Sequence, residues 1–251
     1  MIDAIRSEWI KLRSARSNVV LIVMAIVAPL VFSTLFAIFA HFQNSDSREI
    51  FSNVVLGPNY LCVFFAGVIG VLGIGQEYRH NTIRATFTAE PKRSRVLTAK
   101  VVVTVLFGLG IGLMSVLLDF GVSKTILSAR DISFSLTQPG ENLTAVIGQV
   151  VLCGLFTLAG FGIGAIIRQP AGAIPVILLW PLIVEPLIGG LLSLITDSAR
   201  KWLPFSEGLR LPLTGGDGID RLSRLPAGLY FGAVVAAIVA LGWLLVERRD
   251  A

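Results

Sequence analysis

Six apolar stretches, 18–40, 54–75, 101–122, 145–167, 173–195 and 227–246, hold slightly more than half of this 251-residue chain. A hydrocarbon core about 30 Å thick is crossed by about 20 residues of helix, and each stretch reaches that length. A chain inside lipid must satisfy its own backbone hydrogen bonds, so runs of this kind fold as helices. Of the 21 basic and 16 acidic residues, only Asp119 and Glu185 fall inside the six limits. Composition agrees, with 15% charged residues and a mean hydropathy of +0.79, against about 25% charged in soluble domains. A water-soluble enzyme is excluded. The sequence predicts an all-α integral membrane protein with one transmembrane domain over 1–251. The first stretch is too long for a signal peptide, and no small-residue cleavage site follows it.

The cations set the expected orientation. Thirteen Lys and Arg, among them Lys11, Arg79, Arg84, Lys100 and Arg168, fall on the side of both termini, and eight fall on the other. The positive-inside rule makes the first side cytoplasmic in a multi-pass protein of the cell membrane. The net charge of +5 is therefore topogenic and forms no nucleic-acid face. Residues 1–17 read as an interfacial helix. Ile2, Ile5, Trp9 and Leu12 recur at helical spacing, and Asp3, Arg6, Glu8, Lys11 and Arg13 fill the remaining surface, as in helices that lie among lipid headgroups. Gly108/Gly112 and Gly160/Gly164 are small-xxx-small pairs, expected to bring helices of one chain close together. Cys62 and Cys153 lie inside apolar runs and indicate neither a disulfide framework nor a metal cluster.

Chemistry of its own is missing from the motif inventory. There is no G-x-x-x-x-G-K-[ST] cradle, no G-x-S-x-G elbow and no H-E-x-x-H. His41 and His80 fall on opposite sides of the membrane in this topology and cannot share a metal. No catalytic, cofactor-binding or metal site is assigned. The loop 76–100 is the most informative segment, since helix connections usually take about 2–8 residues. Glu77 to Ala89 can form a short helix with Ile83 and Phe87 on one face and Arg79 and Arg84 nearby, ended by Pro91. Such a helix suits docking into a groove on a partner. A solvated basic loop would account for the cations but not for Tyr78, Ile83 and Phe87.

The pattern Glu77-Tyr78-Arg79-x-x-Thr82-Ile83-Arg84, then Pro91-x-Arg93, then Val96-Leu97-x-Ala99-Lys100, resembles the permease subunits of ABC-2 type transporters, those of actinobacteria above all. The resemblance extends over the whole chain. It implies that a coupling helix around 77–89, with Glu77, Tyr78, Arg79, Thr82, Ile83, Arg84 and Phe87, contacts a separate ATP-binding subunit. It further implies two copies of that subunit, which would bind the ATP and Mg, and a second permease chain, identical or similar. The expected function is export of a drug-like, antibiotic, lipid or polysaccharide substrate. The family pattern often has glycine where this chain has Asn81.

Glu185 lies amid Pro175, Pro181 and Pro186 in the fifth stretch. A carboxylate there costs about 2.5–3.5 kcal/mol on insertion scales and should face protein or water. It is either part of the translocation path or a gate, or a buried partner for backbone groups that the prolines free. Asp119 is expected at the outer interface. Residues 196–226 read as an extracellular loop with short helices or a re-entrant element, turning at Gly215, Gly216 and Asp217. An ion-gradient-driven secondary transporter would want more intramembrane carboxylates than these. A purely structural membrane protein would leave the loop 76–100 without a role.

Overall fold

The computed structural model describes residues 2–41, 45–83, 88, 93–136, 141–194, 201–213 and 222–248. Among them the fold is all-helical, with six helices long and apolar enough to cross a membrane. These are span 1 (Arg16–Phe39), span 2 (Ser47–Arg79), span 3 (Ser94–Ser128), span 4 (Asn142–Ile167), span 5 (Pro170–Leu192) and span 6 (Arg224–Arg248). An N-terminal helix, Ile2–Ser14, precedes them. All six expected stretches are present, but several helices run well past them. Span 3 has 35 residues, which is about 52 Å of helix and more than the thickness of a hydrocarbon core. Hydropathy marks only the apolar part of a helix, whereas the hydrogen-bond ladder continues into water.

Spans 2 and 4 are the most buried, and spans 1, 5 and 6 the least. Spans 2 and 4 also share the most extensive helix–helix contact. Glycine allows it. A Cβ at Gly70 would collide with the Thr157 carbonyl, and one at Gly160 would collide with the Gly67 carbonyl. The backbones therefore touch where the side chains are absent. Gly108 and Gly112 of span 3 likewise sit against Thr157 and Cys153 of span 4, so both glycine pairs act within the chain. Cys62 and Cys153 are free and buried, their sulfurs 3.9 Å apart.

Span 5 stays helical through its prolines. Its segments Pro170–Leu179 and Glu185–Leu192 are joined by a π-helical turn, Trp180–Val184. Pro181 and Pro186 lack the N–H that the ladder needs, and a widened turn accommodates such rings. Beyond span 5, Pro204–Gly208 forms a short helix that packs inside the bundle. Phe205 is buried against Phe156 of span 4 and Phe231 of span 6, with ring centroids 5.6 and 5.2 Å away. The segment dips into the bundle at the end opposite the N-terminal helix. Gly215, Gly216 and Asp217 lie outside the described residues.

Two more expectations change. Asp119 is not interfacial, because span 3 continues for nine residues past it and leaves it fully buried between helices. Glu8 is not on the wet face of the N-terminal helix but is buried with Leu12.

Candidate functional site

The expected helix from Glu77 to Ala89 does not begin at Glu77. Glu77, Tyr78 and Arg79 form the last turn of span 2, which caps at His80. The chain then turns at Asn81, whose φ is 54°. That left-handed region favours glycine, and asparagine is among the few residues that tolerate it, which explains how Asn81 can stand where related patterns have glycine. Arg84 and Phe87 lie outside the described residues.

At this end of the bundle four side chains close a ring of opposite charges. Glu8 and Lys11 come from the N-terminal helix, Glu77 from span 2 and Lys100 from span 3. Lys100 Nζ donates to Glu8 Oε2 at 2.6 Å and to Glu77 Oε1 at 2.8 Å. Lys11 Nζ donates to Glu8 Oε1 at 2.7 Å and to Glu77 Oε1 at 3.0 Å. The Lys100 side chain is only 3% exposed, against 46% for Lys11. Partial burial by itself would pull the Lys11 pKa down, but its hydrogen bond to Glu8 and the charge of Glu77 hold it above the ordinary lysine value. The ring sums to zero charge, which offsets the cost of burying Lys100 and Glu8 on its inner side.

Other contacts tie the same corner together. Asn18 Nδ2 donates to the Leu12 carbonyl at 3.1 Å, fixing the bend between the N-terminal helix and span 1. Gln76 Nε2 donates to Ser17 Oγ at 2.7 Å. A cleft of about 410 Å³ opens here between Lys11, Asn18, Gln76, Glu77 and His80. Tyr78 faces the opposite way, with the Arg168 guanidinium 5.1 Å from its ring centroid. Arg168 also donates to the Leu245 carbonyl at 2.9 Å, so one cation joins the ends of spans 2 and 6.

Of the expected coupling residues, Glu77 and Tyr78 are thus turned into the bundle and Ile83 is buried, while Arg79 and Thr82 are exposed. Glu8, Lys11, Lys100 and Arg168 were legible in sequence only as topogenic or surface charges. The available signal was the complementarity of Glu77 and Lys100, which flank the apolar parts of two consecutive spans.

Glu185 is at the far end and has both oxygens committed. Oε1 accepts the Phe205 N–H at 3.0 Å, and Oε2 accepts the Ser206 N–H at 2.6 Å. Its partners are therefore first-turn donors of the Pro204–Gly208 helix, which have no acceptor within that helix. They are not carbonyls freed by prolines, which have nothing to donate to a carboxylate.

The model of the ABC-2 family transporter proteins matches residues 4–185, from the N-terminal helix through the charge ring to Glu185. The chain belongs to the ABC-2 transporter family. It is a multi-pass membrane permease of an ABC transporter, a transport subunit that by family associates with an ATP-binding subunit. No curated protein matches its sequence. In this ABC-2 permease the ring joins the N-terminal helix to two spans at one end, and Glu185 pins a buried short helix at the other.

Proposed function

We propose that this permease is the membrane-spanning half of an ATP-driven exporter, with both termini and the charge ring on the cytoplasmic side. Two copies of an ATP-binding subunit dock against the connector between spans 2 and 3, and a second permease chain, identical or similar, completes the path. ATP and Mg are bound by the partner. The substrate is drug-like, antibiotic, lipid or polysaccharide. The observation that supports this reading is the ring itself. A push on the connector after Arg79 acts on Glu77 two residues away, and Glu77 is bonded through Lys100 and Lys11 to span 3 and the N-terminal helix. Those elements are then moved as one body. Arg79 and Thr82, with Arg84 and Phe87 beyond them, supply the contact to the ATP-binding subunit. Glu77, Tyr78 and Ile83 position the connector from inside. Glu185 holds the exit-side helix in place.

The test is Arg79→Glu combined with Phe87→Ala in the permease purified with its ATP-binding subunit. Losing an interface anchor costs about 2 kcal/mol, roughly a thirtyfold drop in affinity. Retention of the ATPase should fall accordingly, and substrate-stimulated ATP turnover should be lost, while the permease stays folded. Unchanged retention and turnover would refute the docking role.

A further inference from the structure

We propose that Asp119, Asn59, Gln149 and Ser115 form a binding site for a monovalent cation, enclosed between spans 2, 3 and 4. All four residues are fully buried. Asn59 Nδ2 lies between two acceptors, the Val55 carbonyl at 2.9 Å and Asp119 Oδ2. Gln149 Nε2 donates to the Asn59 carbonyl at 2.9 Å. These bonds fix both amide orientations, because turning either amide would set oxygen against oxygen. What remains is one-sided. Asn59 Oδ1, Gln149 Oε1, Asp119 Oδ1 and Ser115 Oγ are buried without a hydrogen-bond partner. Three of these are pure acceptors, and one belongs to a carboxylate.

Among the described residues, no neighbouring helix supplies the missing positive charge. Among the described residues Asp119 has no ion pair. Span 1 between 17 and 39, and span 4 between 142 and 167, contain no charged residue. The nearest charge before Asn59 on span 2 is Glu49, ten residues away, or about 15 Å along the helix. Lys124 is close in sequence, but it is exposed and its Nζ sits over the Phe120 ring, 5.5 Å from the centroid. A lone carboxylate is very costly to bury, and unpaired buried acceptors add to the penalty. One bound cation answers both. Carboxylate, amide and hydroxyl oxygens are hard ligands that suit an alkali ion better than a transition metal. A single carboxylate balances a single positive charge. The site lies 19 residues along span 3 from Lys100, about 28 Å, so it is separate from the charge ring and does not depend on the ATP-binding subunit.

The experiment measures thermal unfolding of the purified full-length permease in sodium, potassium or choline chloride at equal ionic strength. A radiolabelled-sodium binding assay on the wild-type chain, competed with unlabelled potassium, accompanies it. A bound ion stabilises the folded state by mass action, so at about a hundredfold its Kd the Tm should rise by about 5 °C over choline. The rise should saturate, and Asp119→Asn should abolish it. Binding should approach one ion per chain and needs no variant, so it decides the matter if Asp119→Asn does not fold. Equal Tm values in all three salts with no bound sodium would overturn the site in favour of a protonated Asp119 or trapped water. A cation-dependent rise that survives in Asp119→Asn would place the ion elsewhere and overturn it equally.

Discussion

Replacing Lys100 by methionine would strip Glu8 and Glu77 of the buried cation they share. Methionine keeps nearly the same length and flexibility, so the change reports charge more than packing. At contact distance each ammonium–carboxylate attraction amounts to about 4 kcal/mol at an effective dielectric of about 20, and desolvation offsets much of it. The larger effect is what stays behind. Two buried carboxylates, 5% exposed in the case of Glu8, would be held together by Lys11 alone. Breaking a buried pair from one side costs about 3–5 kcal/mol, and for a chain of this size the Tm should fall by about 10 °C. Glu8→Gln should cost less, because Lys100 keeps Glu77. The double variant, Glu8→Gln with Lys100→Met, should be less destabilised than the sum of the singles by about 2 kcal/mol, since Glu8→Gln removes one of the two carboxylates that Lys100→Met leaves short of a cation. The assay is thermal unfolding of the purified permease in lipid nanodiscs at low and high salt, because exposed pairs are screened and buried ones are not. Additivity within about 0.5 kcal/mol, or a Lys100→Met loss that disappears at high salt, would refute the ring as a buried, coupled unit.

Glu185→Ala should leave the Phe205 and Ser206 N–H groups unpaired and cost about 3–6 kcal/mol at about 1.5–3 per charge-assisted bond. Glu185→Gln retains one acceptor and should cost about half as much, both read from folded yield and Tm. Gly160→Leu should separate spans 2 and 4 and lower stability by about 1–3 kcal/mol or more, measured the same way, and a wild-type Tm would contradict the backbone contact. A cysteine at Ser128 should react with an impermeant thiol reagent added outside cells and one at Ser94 should not; the reverse pattern would invert the proposed orientation.

The six spans were legible because lipid leaves the backbone no alternative to helix, and that constraint is written locally. Their ends were not, since a helix outlasts its apolar stretch. Asp119 shows the consequence. Ending the third stretch at 122 puts this carboxylate near the surface, whereas a helix that continues to Ser128 puts it inside. The ring was hidden for a different reason. Its bonds link residues 92 and 66 positions apart, and no local periodicity reports such pairings. Glu8 has charged neighbours on both sides in sequence, and only packing singles it out. Glu185 was recognisably a residue that had to face protein, yet its partners, the Phe205 and Ser206 N–H groups, lie 20 and 21 residues away, and no local pattern reports that pairing.

The order in which a ribosome delivers these residues gives the ring a part in biosynthesis. Glu8 and Lys11 are made first, but Lys100 follows 92 residues after Glu8, when two spans already precede it. Until then the N-terminal helix has the Glu8–Lys11 contact at 2.7 Å and the Lys11–Glu77 contact at 3.0 Å, and Glu8 lacks its buried cation. The buried part of its seat, Lys100 against Glu8, exists only once span 3 has entered with its first turn on the correct side. A chain that inserted span 3 in the wrong sense would carry Lys100 to the opposite face and leave the N-terminal helix loose. Full docking of that helix therefore requires the first three spans to be in place together.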